Sequence, residues 1–209
     1  MARKAGTNSH DTEAQIYLAA RNLFARYGYA AVSMRQIAAD VGVNQAALYH
    51  YTATKQDLLA GLLTRHMTAL IAALDEEDFS EDPSQALDHF TRFHIRYHIP
   101  RADEIFLSYM ELRSLDADHF TAINALRSQY EHVLRDILKT GVESNQFSDI
   151  DPAISAMAIL SMLTGVTTWY NSEGPLSQDE IETYYSRLVL RSVGAGQYQD
   201  QLTKEIDDV

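Results

Sequence analysis

The residues best suited to chemistry lie between Ser33 and Lys55, and the chemistry is recognition. Asn44, Gln45, Ala46, Tyr49 and His50 fall on the exposed side of a short helix whose Leu48 points inward. Gln45 can make paired hydrogen bonds to an adenine edge, and Ala46 or Ala47 can meet a thymine methyl. Arg35 suits a guanine or a phosphate. Lys55, beside the free amides of a helix start, suits a phosphate. These are the groups of a helix that reads duplex DNA. A plain three-helix bundle with one short helix has the same spacing.

Other chemistry is thin. With no cysteine there is no thiolate metal site, no cysteine nucleophile and no disulfide framework. G-x-S-x-G, a phosphate loop and the Glu-x-x-His pair of di-iron bundles are all absent. Gly194-Ala195-Gly196 lacks a third glycine. His94 and His98 stand four residues apart on one helix and could share a metal with His66 or Asp103. The alternative function is therefore a metal-dependent helical-bundle enzyme. The reading preferred here has no cofactor, no metal and no catalytic residue.

The elements that position these groups read as helices, with no strand pattern. Ile16, Ala20, Leu23, Phe24 and Tyr27 mark one face of a helix over 11–27 that stops at Gly28. Ser33-Met34-Arg35-Gln36 is a capping box opening a helix that Gly42 ends. Asn44 caps a second short helix through His50. Thr54 caps a long one carrying Leu58, Leu59, Leu62, Leu63, Met67 and Leu70. The acidic run Asp75–Asp78 closes it. Further helices are predicted over 83–99 (stopped by Pro100), 102–114, 117–144, 152–171 and 178–193. Ser177 to Glu180 is a second capping box.

The chain of 209 residues carries 17 basic and 29 acidic groups, a net charge of −12. Taken whole, that is the wrong sign for nucleic acid. The charge is uneven, however. Residues 1–60 hold six basic and four acidic groups, a net of +2, which leaves −14 for the rest. No apolar leader precedes the first helix, and the most apolar stretch, 153–166, is short and broken by Ser155, Ser161 and Thr164. These features predict no membrane partner and a soluble, cytoplasmic protein.

Three runs carry a family resemblance. They are Ala20-x-x-Leu23-Phe24-x-x-x-Gly28, Ser33-Met34-x-x-Ile37-Ala38-x-x-x-Gly42-Val43, and Leu48-Tyr49-His50-Tyr51-x-x-x-Lys55-x-x-Leu58-Leu59. Together they resemble the N-terminal domain of TetR-family transcriptional regulators. The resemblance implies an all-α homodimeric repressor, with an N-terminal helix-turn-helix DNA-binding domain and a C-terminal helical domain for ligand binding and dimerisation. It implies base contacts from Arg35, Gln45, Ala46 and Tyr49, and phosphate contacts from Ser33, His50, Tyr51 and Lys55. Thr52 departs from the family's bulkier residue, and Asp40 and Asp57 are unexpected near DNA. The domains are placed at 1–53 and 54–193, with 194–209 a flexible tail. The partner is double-stranded DNA bearing a pseudo-palindromic operator.

The last two helices are candidates for the dimer interface, through Ala153, Ala156, Ser161, Gly165, Tyr184 and Leu188, small residues against large. The aromatic middle of the chain is the candidate lining for a small hydrophobic effector. The residues proposed are His94, Tyr97, Phe106, Tyr109, Met110, Arg113, Tyr130, Leu134, Thr164 and Trp169. Arg113 has a simpler role in an ion pair with Glu111, Asp116 or Asp118. Trp169-Tyr170-x-x-x-Gly174-Pro175-Leu176-Ser177 is similar to TetR-family regulators that respond to acyl-CoA thioesters, such as the FadR-like and sterol-catabolism repressors. The basic residue that would meet a coenzyme phosphate is absent, since Leu160 to Thr168 holds no Lys or Arg.

Overall fold

A computed structural model describes residues 9–196, which form helices joined by turns, with no strand among them. The helices are α1 (Ser9–Tyr27), α2 (Met34–Val41), α3 (Gln45–Leu48), α4 (Lys55–Asp75), α5 (Pro83–His98), α6 (Ala102–Met110), α7 (Ala117–Glu143), α8 (Pro152–Gly165) and α9 (Gln178–Ser192). They divide into two compact units. One holds residues 9–69 and 103–126, the other 70–102 and 127–196.

In the first unit, local chemistry sets the ends of α2. Ser33 and Gln36 satisfy each other: the Gln36 amide donates to Ser33 Oγ at 3.3 Å and the Ser33 amide to Gln36 Oε1 at 2.8 Å. Gly42 closes α2 with φ +77°, left-handed backbone that glycine adopts without steric cost. The Val43 amide then reaches back to the Ala38 carbonyl at 2.9 Å. Asn44 caps α3, its Oδ1 accepting from the Ala47 amide at 2.7 Å.

The core of this unit joins Ile16, Ala20 and Phe24 of α1 to Ile37 and Ala38 of α2, Leu48 of α3, and Leu58, Leu59 and Leu63 of α4. Leu107 of α6 and Ile123 of α7 belong to it as well. Each fully buried side chain of this size contributes ~1.5–3 kcal/mol. Residues 1–53 therefore do not supply the whole of this core. Thr52, the residue out of pattern, is buried and donates its hydroxyl to the Thr54 carbonyl at 3.1 Å.

In the second unit, α5 lies along α9 and also against α8. Asp151 caps α8 by accepting from the amides of Ala153 and Ile154, with Pro152 at the helix start. Asp82 and Pro83 do the same for α5. The Ser177–Glu180 box opens α9.

Several expectations need correction. α5 stops at His98, ahead of Pro100 as expected, and what differs is the connection: Pro100 sits in a 3₁₀ turn, Ile99–Arg101, which runs straight into α6. A proline in a first turn removes no needed hydrogen bond. α6 ends at Met110 and α8 at Gly165, each followed by a short 3₁₀ turn where a longer helix was predicted. Residues 194–196 are no frayed tail, because Gly194 (φ +69°) and buried Ala195 form the C-terminal cap of α9. The expected tail from 197 onward lies outside the described residues. The sequence reading found no membrane-spanning segment, but α4 is long and apolar enough to cross a membrane. Its Leu58, Leu59 and Leu63 are buried in the first unit's core.

Candidate DNA-binding face and effector site

Leu48 is fully buried and pins α3 against Ile37 and Ala38. Since α3 is short, that anchor decides which side chains face outward. Arg35, Gln45, Ala46, Tyr49 and His50 are all exposed. Gln45 Nε2 and Tyr49 Oη are 3.5 Å apart across one turn. This leaves amide, phenol, imidazole and guanidinium groups open to solvent.

The remaining expected contacts are more constrained. The Ser33 hydroxyl and the Asn44 Oδ1 are engaged as helix caps, which leaves the Asn44 amide nitrogen outward. Tyr51 is half-buried against the core. Lys55 Nζ lies 4.1 Å from the Tyr29 ring centroid and 3.5 Å from the Ala30 carbonyl. Burial pulls the Lys55 pKa below its ordinary value, opposed by the charge of Glu111. Of the two unexpected acids, Asp57 bonds the Thr54 hydroxyl at 2.8 Å and faces His119 at 3.4 Å, while Asp40 is exposed.

Residues that sequence reasoning missed hold this face in place. The Tyr29 amide donates to Glu111 Oε1 at 2.9 Å. Gln56 donates to the Ser114 carbonyl at 2.6 Å and accepts from the Asp116 amide at 3.2 Å. The stretch 111–116 thereby grips the start of α4 and the turn after α1. Both Gln56 and Glu111 read as surface polar residues in the sequence, so no local signal marked them.

The ten expected effector residues fall into separate settings. Within the second unit His94, Tyr130 and Thr164 meet, all buried: His94 Nδ1 is 2.9 Å from Tyr130 Oη and Nε2 is 3.2 Å from Thr164 Oγ1. Leu134 is buried one turn on from Tyr130. His98 stacks on His94 at 3.9 Å between centroids and donates from Nδ1 to the His94 carbonyl at 2.6 Å. Both His94 ring nitrogens thus face hydroxyls, and no group of three potential metal ligands exists among the described residues. Tyr97 is half-buried under the Arg101 guanidinium, 3.9 Å from its ring.

Trp169 lies apart, half-exposed and stacked on Tyr185. Phe106, Tyr109, Met110 and Arg113 belong to the first unit and are exposed. Arg113 makes no ion pair among the described residues. Glu111 instead holds Tyr29 and Ser114, and Asp116 holds His119.

Of the expected interface residues, Ala156 is fully buried inside its own unit and is unavailable to a second copy. The outward face of α8 is displaced from it: Ile154, Met157 and Ser161 are exposed. Tyr184 and Leu188 are exposed one turn apart on α9, and Ala153 and Gly165 are half-buried.

Comparison with known proteins decides the family. Residues 16–62 match the model for bacterial regulatory proteins of the tetR family, and residues 80–193 match the tetracyclin repressor-like C-terminal domain. The chain belongs to the TetR family. TetR-family members are DNA-binding transcriptional regulators with no enzymatic activity, and ligand binding and dimerisation are typical of them. One relative is the HTH-type transcriptional repressor KstR2 of Mycobacterium tuberculosis H37Rv. It is 26% identical over 176 residues, which span 82% of this chain and 87% of that one. A tetR-family regulatory protein from Rhodococcus RHA1 superposes with a TM-score of 0.83 at 28% identity, over 91% of this chain and 100% of that one. AibR, solved with isovaleryl coenzyme A and operator DNA, shares the fold: TM-score 0.76, 21% identity, 85% and 97% coverage.

Proposed function

We propose that this TetR-type repressor binds a pseudo-palindromic operator as a homodimer and leaves it when a small apolar effector binds. The observation that carries the reading is the open face of α3. Leu48 is buried while Gln45, Ala46, Tyr49 and His50 stand exposed, the arrangement a major-groove helix requires. Arg35, Gln45, Ala46 and Tyr49 are assigned to bases. Ser33, Asn44, His50, Tyr51 and Lys55 are assigned to positioning on the backbone. Ile154, Met157, Ser161, Tyr184 and Leu188 supply an exposed, largely apolar face for the second copy, which fits the symmetry of a two-half-site operator. TetR-family regulators are typically cytoplasmic, and we assign the same location to this one.

For the effector we favour an acyl thioester received at His94, Tyr130 and Thr164. AibR supports that class, being solved with isovaleryl coenzyme A. The His94 imidazole can bond a ligand carbonyl only by giving up a hydroxyl partner on α7 or α8. Ligand entry therefore changes how α5, α7 and α8 are joined, and a ligand moves an equilibrium only through such a difference between states.

Selection of bound DNA from a random pool tests the first claim. Enrichment of a two-fold-symmetric motif is expected. A well-folded, ligand-free protein that enriches nothing at low salt would overturn it. Isothermal titration with isovaleryl and long-chain acyl-CoAs tests the second: no heat and no operator release would rule out the thioester.

A further inference from the structure

We propose that His119 is a positioning residue for operator binding: as an imidazolium it neutralises Asp57 beside the phosphate contact at the start of α4, so that binding DNA draws in a proton at this histidine. The proposal rests on Lys55 making that contact. His119 stands in the first turn of α7 between two carboxylates. Its Nδ1 is 2.9 Å from Asp116 Oδ2, and its Nε2 is 3.4 Å from Asp57 Oδ1. The His119 amide donates to Asp116 Oδ1 at 3.0 Å, which fixes this turn and the ring with it. A neutral imidazole has one N–H and one lone pair, so it donates to one carboxylate and turns its lone pair on the other. The imidazolium donates to both.

No other cation pairs with either carboxylate among the described residues, so the charge at this spot is set by His119. Asp57 lies in the first turn of α4, two positions after Lys55, and its side chain is half-exposed. Its second oxygen accepts from the Thr54 hydroxyl at 2.8 Å. A phosphate arriving at Lys55 and at the free amides of this helix start therefore meets a carboxylate within one turn. That repulsion is cancelled only while His119 is charged. The surrounding groups do not replace it. Glu111 holds the Tyr29 amide and the Ser114 hydroxyl, and the Lys55 ammonium lies on the Tyr29 ring. Burial pushes the Tyr29 phenol up, which keeps it uncharged. Gln56 is neutral and ties α4 to the Ser114 carbonyl and the Asp116 amide. Asp118, whose amide bonds Asp116, is one more acid. The His119 amide and then its ring hold the Asp116 carboxyl below its ordinary range, so Asp116 stays ionised wherever histidine titrates.

The test is the pH profile of DNA affinity for the full chain, read by fluorescence anisotropy on a labelled duplex carrying the motif enriched from a random pool. His50 is exposed beside α3 and titrates in the same range, so every protein compared carries His50→Gln. From about pH 6 to about pH 8 affinity should fall by about threefold to tenfold, because the favourable charge is present below the histidine pKa and lost above it. His119→Gln should bind at the lower pH as weakly as the parent does at the higher one, with circular dichroism unchanged. Asp57→Asn keeps an oxygen for the Thr54 hydroxyl and should bind equally well at both. Adding His119→Gln to it should then change nothing, a rescue that a merely structural His119 would not give. A parent profile no steeper than that of His119→Gln, or a His119→Gln defect that Asp57→Asn does not relieve, overturns the proposal. Lys55→Ala separates the causes. If it weakens binding while the parent's profile is flat, the role of His119 alone falls. If it leaves binding unchanged, the phosphate contact at α4 falls and the proposal with it.

Discussion

The backbone amide of Tyr29 donates to the Glu111 carboxylate at 2.9 Å, across 82 residues of sequence. Tyr29 lies in the turn leading into α2, and its ring carries the Lys55 ammonium. One carboxylate therefore steadies both the entrance to the helix-turn-helix and the side chain assigned to a phosphate. Glu111→Ala should lower stability by about 1–2 kcal/mol, since hydrogen bonds to charged groups are the stronger ones and this one is part-buried. Urea unfolding measures it. Operator affinity should fall more than Arg113→Ala, at an exposed neighbour, makes it fall.

Contact and anchor on α3 separate cleanly. Gln45→Ala or Tyr49→Ala should each cost ~1–3 kcal/mol of operator affinity with no change in melting temperature. Leu48→Ala should cost ~2–5 kcal/mol of stability by leaving a cavity. Gel shift and calorimetry on the same samples distinguish the two. If Gln45→Ala left binding unchanged, the placement of the reading helix would be wrong.

Gly42→Ala tests the turn itself. No atom lies within 4 Å of where its Cβ would be, so the cost comes from the left-handed φ of +77° alone. A loss of ~1–2 kcal/mol is expected. Gly42→Asn should lose less, because asparagine tolerates this conformation better.

Glu104 predicts an acid response. His66 and then Arg21 hold its carboxyl below the ordinary range, against the opposing effect of burial. Arg21 reaches it at 2.9 Å and His66 at 3.8 Å. A carboxyl with a depressed folded pKa stabilises fully above its unfolded value, about 4.3, and that contribution is lost as pH falls through the folded value. Glu104→Gln should therefore destabilise the protein at neutral pH. It should flatten the pH dependence of unfolding below about pH 5. Parallel acid titrations of parent and variant would show this, and parallel curves would argue against it.

Operator binding should be strongly salt-dependent despite the net charge of −12, because the phosphate contacts come from a locally basic segment. Lys55→Ala should reduce the salt slope by about 1 in log–log form. An unchanged slope would remove Lys55 from the phosphate contacts.

What the sequence revealed was local. The ends of α2 and the start of α9 follow from capping boxes and a left-handed glycine, features that act within a few residues. Leu48 facing inward followed from spacing alone. What it hid was tertiary. Ala156 looked like an interface residue because it is small, yet it is buried, and Ile154 and Met157 face outward instead. The helical period gives two faces and does not say which meets another helix. Gln56 and Glu111 make their contacts across 58 and 82 residues, beyond the reach of any local pattern.

The participation of Leu107 and Ile123 in the core beneath α3 bears on how such proteins can be recombined. A reading head cut after residue 53 lacks α4's leucines and both of these side chains, so it is not a portable cassette. Exchanging operator specificity between relatives by grafting residues 1–53 alone would set a new head on foreign apolar surfaces. A working hybrid should carry residues 103–126 along with 1–69, or change only the exposed side chains of α2 and α3.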